Sequence, residues 1–245
     1  MADEKRPVCT EQKALFLAQA EKEKALAEKT RQEAAVARYN ALEAEYSANR
    51  EKYKMDDELR AANAYDASDA NHHVFRFTAE VNEMSVALCI SALTRWSRQR
   101  PGSEITIIFC SPGGNITDGF ALYDFIQDLK RSGHKVITKT QGMAASMAGV
   151  LLQAGSERVM GREAWLLIHE ASFFAMGKVG AVDDTVEWVH KMCARIADIF
   201  AERAAAATKG DKKKIVALIK KNWARKDWWL DAKEAHKLGF CDSIQ

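Results

Sequence analysis

The sequence predicts an α/β domain preceded by a long, charged α-helix. Three observations lead to this fold class. Near residue 70 the composition changes from a stretch dominated by Ala, Glu, Lys and Arg to one typical of a globular domain. Beyond that point short apolar segments alternate with amphipathic ones, as strands alternate with helices in α/β proteins. Some of the apolar segments are continuous runs, which is typical of the buried strands of a parallel sheet.

The N-terminal domain, residues 1–70, is predicted to be a helical extension that ends in a polar linker at 63–73. Residues 11–60 contain neither Gly nor Pro and consist largely of strong helix formers. The apolar residues of this helix are sparse and keep no strict heptad: Leu15, Leu26, Val36, Leu42 and Tyr46. So narrow a stripe cannot form a core alone. A partly solvated helix and a coiled-coil assembly element both stay open.

Residues 71–245 form the second predicted domain, in which strands and helices alternate. Strands are predicted at 73–81, 104–110, 135–140 and 164–170. Helices are predicted at 83–99, 117–133, 142–155, 182–207 and 212–223, before a closing segment at 232–244. The first strand alternates polar with apolar residues, whereas the helices carry apolar residues at three- and four-residue spacing. Thr117 and Gly133 are the expected cap and stop of the second helix of this domain.

Charge, cysteine spacing and hydropathy argue against several functional classes. The net charge of +2 is too small to indicate nucleic acid or an anionic membrane as a partner. The five cysteines lie far apart, which argues against a zinc site or disulfide framework and favours a reducing compartment. Without a secretory signal or an apolar run of ~18 residues, the protein is expected to be cytoplasmic. No phosphate-binding P-loop is present, so any ATP dependence requires a partner chain.

Three predicted strand-to-helix turns carry groups suited to chemistry, because reactive groups gather at the carboxyl ends of parallel strands. The turn SPGG at 111–114 offers backbone N–H groups ahead of a helix. Ser146 lies in or near the first turn of the next helix, and His169 follows a buried strand. Together these groups suit acyl transfer, although singly they also fit tight packing and a structural histidine. The context Ala-Ala-Ser-Met-Ala lacks the G-x-S-x-G pattern of α/β-hydrolases.

In combination, these motifs resemble the ClpP-type (caseinolytic) serine peptidases. SPGG, GMAASMAG and LLIHE follow one another in the family's order, and ARKDWWLDAKEAHKLGFCDSI resembles its closing segment. The resemblance covers about residues 73–245. It implies the ClpP/crotonase-like fold of layered strand-strand-helix units. It also implies cleavage of peptide bonds by a serine nucleophile, with neither a cofactor nor a metal.

The resemblance assigns a role to each matching residue. Ser146 matches the nucleophile, His169 the general base and Asp227 the acid that orients the histidine. Gly114 and Met147 match the two N–H donors of the oxyanion hole.

Two further residues, Gly113 and Ile116, are expected to contact the substrate. The choice of the acid rests on a comparison of two residues, because Asp231 follows Asp227 by four positions and lies beside a helix start. One of the two acids is expected to serve only as a helix cap, and Asp227 is preferred as the catalytic acid.

The resemblance also implies partners. A homo-oligomer is expected, with heptameric rings stacked in pairs, polypeptides as substrates and an AAA+ unfoldase as the ATP-driven partner. The sequence departs from the family at 170–174, which reads Glu-Ala-Ser-Phe-Phe where the family has Gln-Pro. It departs again at the N-terminal helix. Such an extension is similar to that of phage-encoded relatives, which makes capsid proteins a second candidate substrate.

Three other functions stay open at this point. An enoyl-CoA hydratase relative would share the layered fold but would use glutamates for acid–base chemistry. A signal-peptide-peptidase relative would pair Ser146 with a lysine, for which Lys139 and Lys178 are the candidates. A ring-forming scaffold would keep a vestigial triad and use the N-terminal helix for interaction.

Overall fold

A computed structural model describes residues 10–245. Helices lie at Thr10–Asp66 (α1), Glu83–Gln99 (α2), Ile116–Arg131 (α3), Met147–Leu152 (α4), Val179–Thr208 (α5), Lys212–Trp223 (α6) and Ala232–Lys237 (α7). Strands lie at Val74–Phe77 (β1), Ile105–Ser111 (β2), Val136–Ala145 (β3), Glu157–Met160 (β4), Trp165–Ile168 (β5), Trp228–Asp231 (β6) and Ser243–Ile244 (β7). The predicted α/β class and the long N-terminal helix are both confirmed.

Helix α1 is 57 residues long, about 85 Å at 1.5 Å per residue. Nearly all its side chains are exposed. It continues to Asp66, so the first residues of the predicted linker are helical, because the segment 61–66 also lacks Gly and Pro. The chain divides into two compact units between Ala64 and Tyr65. Within residues 10–245, no helix has the length and apolar character needed to cross a membrane.

The second unit is built on a sheet in which β3 has two partners. The strand order is β1-β2-β3-β4-β7, and every pair along it is parallel. The first part of β3, Ile137–Thr140, pairs with β4, whereas its end, Met143–Ala145, pairs in parallel with β5. Strand β6 then pairs antiparallel with β5. The carboxyl end of β3 therefore lies beside β5 and not beside β4.

The core of this unit follows from the alternation of side chains along its strands. Ile105, Ile107 and Phe109 occupy every second position of β2 and are fully buried. Leu93 of α2 and Leu122 of α3 belong to the same core. Each such burial contributes ~1.5–3 kcal/mol relative to exposure. This core supports the strand ends at which the candidate site lies.

Several predicted boundaries are wrong. The first strand ends at Phe77 and not at residue 81. Helix α3 is capped by Asn115, not Thr117, because Asn115 Oδ1 accepts a hydrogen bond from the Asp118 N–H at 3.1 Å. The helix predicted from residue 142 begins only at Met147, because residues 143–145 pair with β5 and those strand contacts override the helix propensity of the alanines. The prediction also omitted β4, β6 and β7, which are only two to four residues long.

A buried ion pair ties the C-terminal segment to β4. Arg158 is 1% exposed, and its backbone N–H and Nε donate to Asp242 Oδ2 at 2.8 and 3.0 Å. Its Nη1 donates to the carbonyl of Gly239 and to the side chain of Gln153. Burial alone would raise the pKa of Asp242. The hydrogen bonds and charge of Arg158 outweigh burial and hold that pKa below its ordinary value.

We expect Asp242→Asn to lower the free energy of unfolding by about 3 kcal/mol at neutral pH, because it leaves the Arg158 guanidinium buried without a counter-charge. Asp124→Asn, at an exposed position, is the control and should change little. Urea denaturation measures both. The ion pair's contribution is complete above the ordinary pKa of 3.8 and is lost as the pH falls through the lower folded-state pKa. Equal stability of the two variants at pH 7 would contradict this account.

Candidate active site

Ser146 occupies the single residue between a strand and a helix. β3 ends at Ala145 and α4 begins at Met147, and Ser146 has φ 53° and ψ −123°. A non-glycine residue with positive φ is strained, at a cost of about 1–3 kcal/mol. A sharp strand-to-helix turn of this kind presents the serine hydroxyl at the carboxyl edge of the sheet. The turn therefore has nucleophile-elbow geometry although the G-x-S-x-G pattern is absent.

Backbone hydrogen bonds fix this turn on both sides. The Ser146 N–H donates to the Leu167 carbonyl at 3.0 Å, which extends the β3–β5 pairing by one residue. The Ser146 carbonyl accepts from the N–H groups of Gly149 and Val150 at 3.0 and 3.3 Å, as the first bonds of α4. Leu167 lies two residues before His169. The same hydrogen bond therefore holds the serine beside the end of the strand that carries the histidine.

The SPGG turn presses against the Ser146 turn closely enough to exclude a side chain. A Cβ at Gly113 would lie 2.6 Å from Ser146 Cβ and 2.8 Å from the Met147 nitrogen, and the φ of Gly113 is +89°. The loop is anchored from the other side by Val81, whose N–H donates to the Gly113 carbonyl and whose carbonyl accepts from Asn115, both at 2.7 Å. Gly113 thus packs under the serine turn.

Two residues of the cavity lining have backbone N–H groups without a protein acceptor among residues 10–245. Gly114 and Met147 both line the cavity, and within residues 10–245 neither N–H donates a hydrogen bond to another residue. The Met147 N–H is free because it belongs to the first residue of α4, where a helix has no internal acceptor. The Gly114 N–H is free because the parallel bridge to Val81 uses its neighbours' groups instead. Such a pair can stabilise an oxyanion.

His169 and Asp227 are brought together by the antiparallel pair β5–β6. Ile168 is paired with Trp228. His169, which follows Ile168, and Asp227, which precedes Trp228, therefore lie at the same end of this two-stranded ribbon. His169 Nδ1 is 3.8 Å from Asp227 Oδ1, beyond the range of about 3.2 Å for a hydrogen bond. His169 also lines the cavity with Ser146, and no hydrogen bond joins their side chains in this part of the chain.

Asp231 lies at the other end of the same ribbon. It is paired with Trp165, three residue pairs from Trp228, which is about 10 Å along a strand. Its side chain caps α7, since Oδ1 accepts from the Glu234 N–H at 2.8 Å and Glu234 Oε2 accepts from the Asp231 N–H at 3.1 Å. This capping box accounts for Asp231, and the geometry favours Asp227 as the acid beside His169.

Sequence reasoning did not find the walls of the cavity. Its volume is about 60 Å³, and its apolar lining includes the expected Ile116 together with residues from α4 and α5 that were not expected: Val150, Ile196 and Phe200. Ile196 and Phe200 are four residues apart on one face of α5, a spacing that signals a buried face but not which cavity it closes. The expected contact residue Gly113 is not part of the lining.

Neither candidate lysine lines this cavity, and its lining residues include no glutamate. Lys139 Nζ donates to Gln245 Oε1 at 2.8 Å, and Lys178 is an exposed residue immediately before α5. Glu170 has a different connection, because its Oε2 accepts from the Arg225 N–H at 3.4 Å. That contact joins the segment after His169 to the segment before Asp227. Among the described residues, no group of three or more His, Cys, Asp or Glu side chains could hold a metal ion.

Residues 56–245 match the sequence model of the Clp protease family. The chain is 30% identical to an ATP-dependent Clp protease proteolytic subunit of Bacteroides fragilis over 59% of its length, and 32% identical to that of Bacteroides thetaiotaomicron over 59%. It spans 65% and 61% of these two relatives, just under two thirds. A Chlamydia muridarum proteolytic subunit 1 is 30% identical over 69% of this chain and 83% of its own.

We expect Gly113→Ala to reduce the labelling rate of Ser146 by a fluorophosphonate at least ~100-fold, because its Cβ would displace the serine turn by about 1 Å. The control is Gly180→Ala on α5, where a Cβ has open space around it. This second variant should be labelled at the wild-type rate and be as stable or slightly more so. Wild-type labelling of Gly113→Ala would show that the close packing is not needed for reactivity.

Proposed function

The chain belongs to the Clp protease family, and on that basis we propose that it is a serine endopeptidase with a triad of Ser146, His169 and Asp227. The observation that carries the proposal is convergence on one cavity. A serine on a strained turn, an imidazole and the free N–H groups of Gly114 and Met147 all face it. These are the groups that acyl transfer requires.

In the proposed reaction, Ser146 Oγ attacks the carbonyl carbon of a peptide bond while His169 takes the hydroxyl proton. The oxyanion of the tetrahedral intermediate accepts hydrogen bonds from the N–H groups of Gly114 and Met147. The histidinium then gives its proton to the leaving amine, which leaves an acyl ester on Ser146. A water molecule, deprotonated by His169, hydrolyses the ester and restores the serine. Asp227 holds the imidazole tautomer and stabilises its positive charge.

Substrate preference follows from the cavity wall. Ile116, Val150, Ile196 and Phe200 present aliphatic and aromatic surface beside the serine, and none of them carries a charge. We propose that this wall receives an apolar side chain of an unfolded polypeptide. An acidic or basic side chain would lose hydration there without gaining a partner.

We further propose that the protein acts as a homo-oligomeric ring, heptameric and stacked in pairs. Supporting this, the segment that leads into α5 and the first three turns of that helix expose large apolar side chains: Phe173, Phe174, Met176, Val179 and Trp188. A cluster of this kind marks an interaction surface. The relatives are named as proteolytic subunits of an ATP-dependent protease, and we propose an AAA+ unfoldase as the ATP-driven partner. The long α1 keeps capsid proteins as a second candidate substrate.

The rival functions fit the site less well. A hydratase needs acid–base glutamates, and the cavity lining includes none. A serine–lysine dyad needs an amine beside Ser146, whereas Lys139 contacts Gln245. A scaffold with a vestigial triad needs no oxyanion donors, whereas Gly114 and Met147 line the cavity with Ser146 and their N–H groups have no protein acceptor among residues 10–245.

We expect Ser146→Ala to abolish hydrolysis of casein or of an apolar model peptide while leaving the particle mass in solution unchanged. Ser172→Ala is the matched control, because Ser172 also lines the cavity but lies on the loop after His169. It should retain activity. Hydrolysis by Ser146→Ala above the background without enzyme would overturn the assignment of Ser146 as the nucleophile. Loss of activity in Ser172→Ala but not in Ser146→Ala would make Ser172 the nucleophile instead.

The choice of acid is tested by a second matched pair, Asp227→Asn and Asp231→Asn. We expect the first to lower kcat by up to roughly 10⁴-fold, because an amide cannot hold the imidazole tautomer that accepts the serine proton. The second should keep both activity and stability, since Asn caps a helix about as well as Asp. Steady-state kinetics on one peptide decides the matter. The reverse order of the two effects would make Asp231 the acid.

A further inference from the structure

Three tyrosines of α1 repeat every seven residues, whereas the aliphatic residues of this helix keep no heptad spacing. Tyr39, Tyr46 and Tyr53 are spaced by seven residues, and their side chains are 63%, 71% and 68% exposed. Placed at the a positions of a heptad, they put Leu42 and Asn49 at the two d positions between them and Ala35 at the d position before Tyr39. These six residues, confined to the middle of the helix, are called the tyrosine seam here.

The seam has the character of a contact surface. Three phenol rings and Leu42 lie along one line of a helix whose other positions are mostly charged, small or polar. A tyrosine ring buries large apolar area while its hydroxyl reaches water at the rim, which suits a helix–helix contact that is narrow. Asn49, the one polar core position within the seam, is of the type that selects register in coiled coils.

The charges beside the seam complement a second copy of the same helix. In a parallel, in-register pair, each g position lies beside the e position five residues later on the partner. For the seam this juxtaposition gives three pairs, all of opposite sign: Arg38 with Glu43, Glu45 with Arg50, and Lys52 with Asp57. By symmetry each pair occurs twice. One heptad nearer the N-terminus the same rule places Arg31 beside the apolar Val36, and two heptads nearer it places Lys24 beside Lys29, so the complementarity ends with the seam.

The antiparallel alternative is disfavoured by the same charges. An antiparallel pair that overlaps the seams sets Tyr46 against Leu42 of the other copy, and g positions then face g positions. Glu45 would face Glu45, Arg38 would face Lys52, and Glu43 at e would face Glu43. Every one of these contacts joins like charges. The sequence around the seam therefore specifies orientation as well as register.

We propose that the tyrosine seam binds the same seam of a second copy of this chain, parallel and in register. All copies in a closed ring point the same way along its axis, so the parallel orientation is compatible with the ring proposed above, in which such pairs would join three couples of helices out of seven copies. The inference does not depend on catalysis. It gives α1 a defined role, which is to join neighbouring copies through residues 35–57 independently of the peptidase unit.

Disulfide trapping in the full-length chain tests the proposal. In a parallel, in-register pair residue 46 meets itself with its Cα atoms about 6 Å apart, which a disulfide spans. Tyr46→Cys and Tyr39→Cys should therefore form covalent dimers on mild oxidation, seen on a non-reducing gel. Ala44→Cys, on the outer face of the same turn, is the matched control. The chain with only its native cysteines sets the background.

Charge reversal on the Tyr46→Cys background tests orientation. We expect E45K or R50E alone to lower the dimer yield several-fold, and E45K with R50E to restore it, because the swapped charges again attract. High salt should reduce the differences. The proposal fails if Ala44→Cys links as well as Tyr46→Cys, if neither seam cysteine links above background, or if the double reversal is as weak as the singles. Peptidase activity is not the readout, so failure here leaves the proposed catalytic function intact.

Discussion

Strand β3 changes partner part-way along its length, and the candidate site depends on that change. Its first part pairs with β4 and its end pairs with β5, which carries Ala145 alongside Leu167. The next residue, Ser146, extends the pairing through its N–H and then turns sharply into α4. His169 follows two residues beyond Leu167. Ser146 and His169, the proposed nucleophile and base, thus line one cavity because two strand ends are neighbours.

Tight packing and the proposed reactivity of Ser146 have one cause at this turn. The strain of a serine at positive φ persists only where the surroundings determine the backbone completely. Here Gly113 packs against Ser146, and α4 begins at once, so the N–H of its first residue, Met147, has no protein acceptor in the described chain; Met147 and Gly114 both line the cavity. The buried Arg158–Asp242 pair secures β4 and the C-terminal segment at the far side of the same sheet. The hydrogen-bonded sheet holds Ser146 in its strained conformation.

The order of SPGG, GMAASMAG and LLIHE in the sequence was sufficient to name four of the residues that the structure gathers at the cavity, which are Gly114, Ser146, Met147 and His169. Local propensity failed where long-range contact decides, as at residues 143–145, which pair with β5 although alanines favour helix. For the same reason the sequence did not reveal that Ile196 and Phe200 line the cavity with Ser146, because this depends on where α5 packs. The resemblance already preferred Asp227 to Asp231, and the register of β5–β6 supplies a physical reason, because it puts Asp227 beside His169.

The location of a covalent adduct tests the central claim most directly. The wild-type chain would be treated with a fluorophosphonate, digested, and its peptides mapped by tandem mass spectrometry. The account predicts one adduct, on Ser146, formed at a rate that falls when His169 is replaced by Ala. An adduct on Ser172 or on Ser111, or no adduct at all on a folded chain, would contradict it.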